Sequence, residues 1–138
     1  MTDRYKVLLD QMRADTLHTC DFSHADHIGV AYQALEEEPF FEALALFARG
    51  IQGAAARAGA ADKFNATVTL AFMSLIAERR ACGTYAGAQE FVQANGDLRR
   101  KGLLHDWYSP TRLASATARK IAILPDRSGP AARPVHGA

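Results

Sequence analysis

The residues with the most chemistry within reach open a single helical stripe. In the segment Phe22-Ser-His-Ala-Asp-His-Ile-Gly-Val-Ala31, the apolar face through Leu35, Ala31 and Ile28 runs back to His27 and His24, because residues three and four apart share one side of an α-helix. At that spacing both imidazoles can address one point, and neutral imidazole is both a transition-metal ligand and a proton carrier near neutral pH. His24 and His27 are therefore the candidate catalytic acid–base pair, and also two candidate ligands of an incomplete metal site. The same residues have a plainer use, since histidines in a first helical turn also cap, bond to loop carbonyls or lie partly exposed. Asp26, in that first turn, reads as a capping and dipole residue rather than as a ligand.

A later segment repeats the arrangement. Phe64-Asn-Ala-Thr-Val-Thr69 places Asn65 and Thr69 one turn apart on a face that continues into Phe72 and Ile76. Should both helix starts meet at one cavity, His24, His27, Asn65 and Thr69 would head a polar pocket with positive helix ends pointing in, suited to an anionic or carbonyl-bearing small molecule. Asn65 and Thr69 would then orient the substrate, the alternative being that both cap or face solvent. His105-Asp-Trp-Tyr108 holds the single tryptophan of the chain. His105 and Tyr108 are candidates to close such a pocket, although aromatic anchoring of a loop is the more frequent use of such a cluster. His18 and His136 carry no assigned role. No segment forms a nucleophile elbow, a glycine-rich phosphate loop, His-Glu-x-x-His or a helix-turn-helix. Gly50 and Gly53 fall inside a helical pattern and read as close helix–helix contact.

The elements that position these groups are helical throughout, because apolar residues recur at spacings of three and four and no alternating β-branched run is long enough for a strand. A first helix is predicted over residues 3–14. The second starts at Ser23, where Ser-x-x-Asp is a capping-box variant, and ends in Glu36 to Pro39. Pro39 suits the opening of a third, which Gly59 stops. Asp62 is the expected cap of a fourth over residues 63–80, read as the central helix. Shorter helices are expected over residues 86–94 and 97–105, after Ser109-Pro110 and from Ser115. The fold class is thus all-α, a compact single-domain bundle of about five to seven helices, with a domain over residues 1–124 and a mobile basic tail over residues 125–138.

Composition narrows the classes of function. A chain of 138 residues with 49% apolar and 22% charged residues is an ordinary globular domain, neither disordered nor low-complexity. Its longest apolar runs fall short of the roughly 18–20 residues of a bilayer span, so no membrane partner is expected. The charged first fifteen residues hold no secretory h-region, and the reading is cytoplasmic. Two cysteines, Cys20 and Cys82, form no Cys-x-x-Cys and read as reduced small hydrophobes. The net charge of +1 conceals an asymmetry: residues 1–98 carry eight Lys/Arg against thirteen Asp/Glu, and residues 99–138 carry eight against two. A solvated basic face is the ordinary meaning of such a stretch, so nucleic acid is not the favoured partner. A homodimer is open, but the sequence shows no heptad or self-complementary patch that decides it.

The chain resembles a group of small, mostly uncharacterised bacterial all-helical proteins that carry a Phe-x-His-x-Asp-His-Leu-like opening, a Tyr-His-Glu-Thr-like start to a later helix and a Tyr-Ser-Pro segment near the C-terminus. Here these stand as Phe22, His24, Asp26 and His27; as Phe64, Asn65, Ala66 and Thr67; and as Tyr108, Ser109 and Pro110. The resemblance implies that the two helix starts converge and that a third His with an adjacent Glu makes a His-rich metal site in relatives. This chain departs there, with Asn65 for the His and Ala66 for the Glu, and Asn is a weak ligand for zinc, iron or copper.

The expectation is a small-molecule enzyme using a His24/His27 pocket for non-redox acid–base chemistry of the isomerisation, elimination or hydration type. No cofactor is required by the sequence, and a transition metal is admitted. The alternative is a non-catalytic ligand- or protein-binding accessory module derived from a metal-binding ancestor.

Overall fold

The computed structural model describes residues 3–130. Among them the chain is all-α: α1 (Arg4–Arg13), α2 (His24–Glu37), α3 (Phe40–Arg57), α4 (Ala66–Cys82), α5 (Ala88–Ala94), α6 (Pro110–Leu113) and α7 (Ala116–Lys120). Single 3₁₀ turns at Thr19–Asp21, Ala61–Lys63, Gly96–Arg99 and Leu103–Asp106 join them, and the described residues include no strand. None of these helices is long and apolar enough to cross a membrane.

Local chemistry sets most of the boundaries. The Asp3 carboxylate accepts from the Tyr5 and Lys6 N–H groups and starts α1. Gly59, at φ +71°, follows the last residues of α3 in the left-handed conformation that glycine adopts without penalty. Two expectations are corrected. The cap of α4 is Asn65, whose Oδ1 accepts from the Val68 N–H at 3.0 Å, while Asp62 lies in the preceding 3₁₀ turn. Aspartate and asparagine cap equally well, but only the amide also donates, and Asn65 Nδ2 takes the Leu113 carbonyl at 2.7 Å. The helix expected over residues 97–105 is instead two 3₁₀ turns, separated where Gly102 takes φ +74°.

The central helix is α2, not α4. From Ile28 to Leu35 every residue of α2 is buried, and the helix packs against α1, α3, α4 and α5. Gly29, Ala31 and Ala34 let those neighbours close in, and the Tyr5 ring occupies the space that a side chain at Gly29 would need. Gly50 does the same between α1 and α3, since a Cβ there would lie 2.6 Å from the Met12 Cγ. Leu9, Ile28, Val30, Phe47, Met73, Ile76, Phe91 and Leu98 fill the main core.

A second, smaller core of Leu104, Tyr108 and Leu113 forms with Val68, Ala71, Trp107 and Ile123 around α4, which therefore lies between the two. Its clasp is Thr67. The fully buried hydroxyl lies 2.9 Å from the Ala118 carbonyl and 2.8 Å from that of Ile121, and accepts from the Ile123 N–H at 3.1 Å. The sequence places the start of a tail at Pro125, yet Asp126 accepts from the Ser109 N–H at 2.8 Å and the Arg127 N–H donates to the Trp107 carbonyl at 2.9 Å. The remainder of that segment, residues 131–138, lies outside the described residues.

Thr67→Val keeps the shape and deletes the hydroxyl, leaving the Ile123 N–H and a carbonyl without partners. It should cost about 1–3 kcal/mol in urea unfolding, with Thr67→Ser retaining most of the bonding contribution. Equal midpoints for Thr67→Val and wild type would contradict the clasp.

Candidate functional site

The head of α2 is built by its own side chains. Ser23 Oγ accepts from the Asp26 N–H at 3.1 Å and Asp26 Oδ2 accepts from the Ser23 N–H at 2.9 Å, a complete capping box. Asp26 also receives Arg4 in a two-point contact, Nε at 2.9 Å and Nη2 at 2.7 Å. The Arg4 bonds hold its carboxyl below the usual carboxylate range against the opposing effect of burial, with the Ser23 bonds adding to them. Both carboxylate oxygens are thus engaged, and Asp26 is a fastener of α1 to α2.

His27 lies one turn into the helix and half-buried. Its Nδ1 is 3.0 Å from the Ser23 carbonyl. A carbonyl only accepts, so Nδ1 carries the proton and the neutral ring presents its lone pair at Nε2. The Phe22 ring meets the imidazole edge-on at 4.4 Å between centroids, Phe47 stands at 6.5 Å and His24 at 6.0 Å. Burial pushes the His27 pKa below its ordinary 6.5, and the neighbouring His24 pushes the same way, against the Ser23 bond and the Asp26 charge. The positive end of α2 also disfavours an imidazolium. His24, the first residue of α2, is exposed. The pair can therefore offer one sheltered neutral base beside one solvent-facing imidazole.

The other expected site residues are occupied elsewhere. Besides capping α4, Asn65 receives the Thr69 hydroxyl on its carbonyl at 2.8 Å. No hydrogen bond or ring contact joins Asn65 or Thr69 to either histidine. Between them stands α3, whose Phe47 stacks on Phe72 of α4 at 6.3 Å and faces His27 of α2 at 6.5 Å. Tyr108 is buried and donates to the Ile123 carbonyl at 2.9 Å, and burial raises its pKa. With Trp107 it walls a cavity of about 190 Å³ against Leu70, Ser74 and Glu78, below the roughly 300–1,000 Å³ common in ligand sites. His105 is exposed, and its carbonyl accepts from Arg127 at 2.8 Å. Cys20 and Cys82 are exposed rather than packed, and no disulfide joins them.

For a metal, the donor set is short. Asp26 is committed to Arg4 and Ser23, and among the described residues no group of three or more His, Cys, Asp or Glu side chains could hold an ion. The two histidines alone do not make a closed transition-metal site. Sequence reasoning missed two residues here: Arg4, which fixes Asp26 from 22 positions upstream, and Thr67, whose type alone gives no sign of its partners. Comparison with protein-family models, curated proteins and solved structures yields no match.

The depressed pKa of His27 has a defined sign in stability. Between 6.5 and its lower folded value, the unfolded chain binds a proton at this residue and the folded one does not. Stability therefore falls as pH drops through that window and is fully present above it. His27→Asn should flatten the loss of unfolding free energy between about pH 7 and pH 5, whereas Asp26, also depressed, acts below its ordinary 3.8. Parallel wild-type and His27→Asn profiles would contradict a neutral, half-buried His27.

Proposed function

We propose that this protein acts on a small molecule by non-redox proton transfer at the head of α2, with His27 as the base and His24 as the second proton carrier. The observation that carries this reading is the Nδ1 contact to the Ser23 carbonyl, which fixes the tautomer and leaves Nε2 as a lone pair on a ring kept neutral by burial. A base of that kind suits isomerisation, elimination or hydration, in which one proton leaves carbon or water and another is returned. His24, exposed to solvent, can exchange the proton with water. The positive end of α2 favours a substrate carrying a carboxylate or a developing enolate.

A second reading has its own support. The Asn65 amide, the Thr69 hydroxyl and the Tyr108 hydroxyl are all bonded to backbone groups, so the polar set expected to orient a substrate is engaged in holding the fold. That favours a non-catalytic accessory module in which the histidine pair binds without turnover.

The test is a panel of small keto and hydroxy acids titrated against ¹⁵N-labelled protein. Ligands should shift the His24 and His27 resonances, and His24→Ala or His27→Ala should abolish binding while the helical circular-dichroism signal stays intact. Turnover of a bound acid distinguishes the enzyme from the accessory module. Binding that survives His27→Ala, or a His27→Ala variant that loses its helicity, would contradict a functional pair and mark His27 as a core residue.

A further inference from the structure

We propose that the outer face of α3 is the contact surface for a second copy of this chain, paired antiparallel about a two-fold axis. The core takes Ala43, Phe47, Gly50 and Ala54 from α3, which leaves a different stripe outside. Glu42, Ala45, Arg49, Gln52 and Ala56 follow one another at spacings of three and four and line an open groove of about 960 Å³ between α3 and α1. That spacing keeps the five on one side of α3, and the small side chain of Ala45 lets a second helix approach closely.

Charge decides the occupant. Five charged residues line the groove, and three are already paired within the chain: Arg13 bonds Glu38 at 3.3 Å and Asp15 receives Arg57 at 2.8 Å. Glu42 and Arg49 form no ion pair among the described residues, are opposite in sign, and lie two turns apart on the same stripe. A second α3 running antiparallel places Glu42 of each chain against Arg49 of the other, satisfying both charges twice over. A parallel copy would set like against like. The same register puts Ala45 opposite Leu46 and brings Phe41, 76% exposed, level with Gly50, beside the groove that Met12, Ala45 and Leu46 help to line. An exposed aromatic ring and a partly apolar groove on one surface make the patch self-complementary, as an isologous interface requires. Aromatic side chains seated in pockets carry most of the binding in such contacts.

Sedimentation equilibrium of the full chain over about 1–100 µM tests this. Wild type should approach twice the chain mass, with Phe41→Glu monomeric and equally helical by circular dichroism. Arg49→Glu and Glu42→Arg should each raise the dimer dissociation constant at least tenfold, and the double variant Glu42→Arg/Arg49→Glu should restore it. Restoration is specific to the antiparallel register. Wild type that stays monomeric across the range, a dimer indifferent to Phe41→Glu, or a double variant no tighter than either single one would overturn the proposal.

Discussion

The Asp26 carboxylate is the constraint on which the head of α2 depends. It is 4% exposed and ionised, and a buried carboxylate without partners costs several kcal/mol. The chain meets that demand from two directions, with Arg4 at the start of α1 and the Ser23 N–H at the start of α2. Satisfying one charge thereby ties two helix starts together and holds the Ser23 backbone in place. The carbonyl of that same residue accepts from His27, so the orientation of the imidazole derives from the partners of a residue that does no chemistry. Phe22 and Phe47 then fix the ring laterally and exclude water from one side of it.

The other half of the molecule is organised by α4, which belongs to both cores. Its first turn is fastened to the C-terminal segment through Asn65 to Leu113 and through Thr67 to residues 118, 121 and 123. Arg112, Tyr108 and Asp126 extend the same work, each with a bond to or from the backbone of that segment or of residue 109. Short helices such as α6 and α7 have too few turns to be stable alone, and these side-chain bonds to backbone carbonyls replace what length does not supply. The basic character of the C-terminal third is partly absorbed in this way, since Arg112 and Arg127 donate to carbonyls and Arg100 pairs with Asp106.

Features that depend on neighbours in sequence were legible before the structure. Ser23 and Asp26 spell their capping box, Asp3, Ser109 and Ser115 mark helix starts, and Gly59 marks an end, because each acts within four residues of itself. What depended on distant partners was not. Asp62 and Asn65 are equivalent as local cap signals, and the choice between them rests on a carbonyl 48 residues away. The rank of α2 over α4 as central helix rests on what packs against Gly29 and Ala31, not on either stripe alone. The histidine spacing was readable, but the tautomer of His27 follows from a carbonyl orientation that Arg4 helps to fix. The expected meeting of His24 and His27 with Asn65 and Thr69 depended on long-range packing, which instead sets Phe47 of α3 between His27 and Phe72 of α4.

The account rests on His27 being a fixed, neutral imidazole with its proton on Nδ1. Long-range ¹H–¹⁵N correlation of the histidine rings near neutral pH reads the tautomer directly from the two nitrogen shifts. A protonated Nδ1 and a pyridine-like Nε2 at His27, in a single form, is the predicted result. A proton on Nε2, or shifts averaged between the two tautomers, would contradict it.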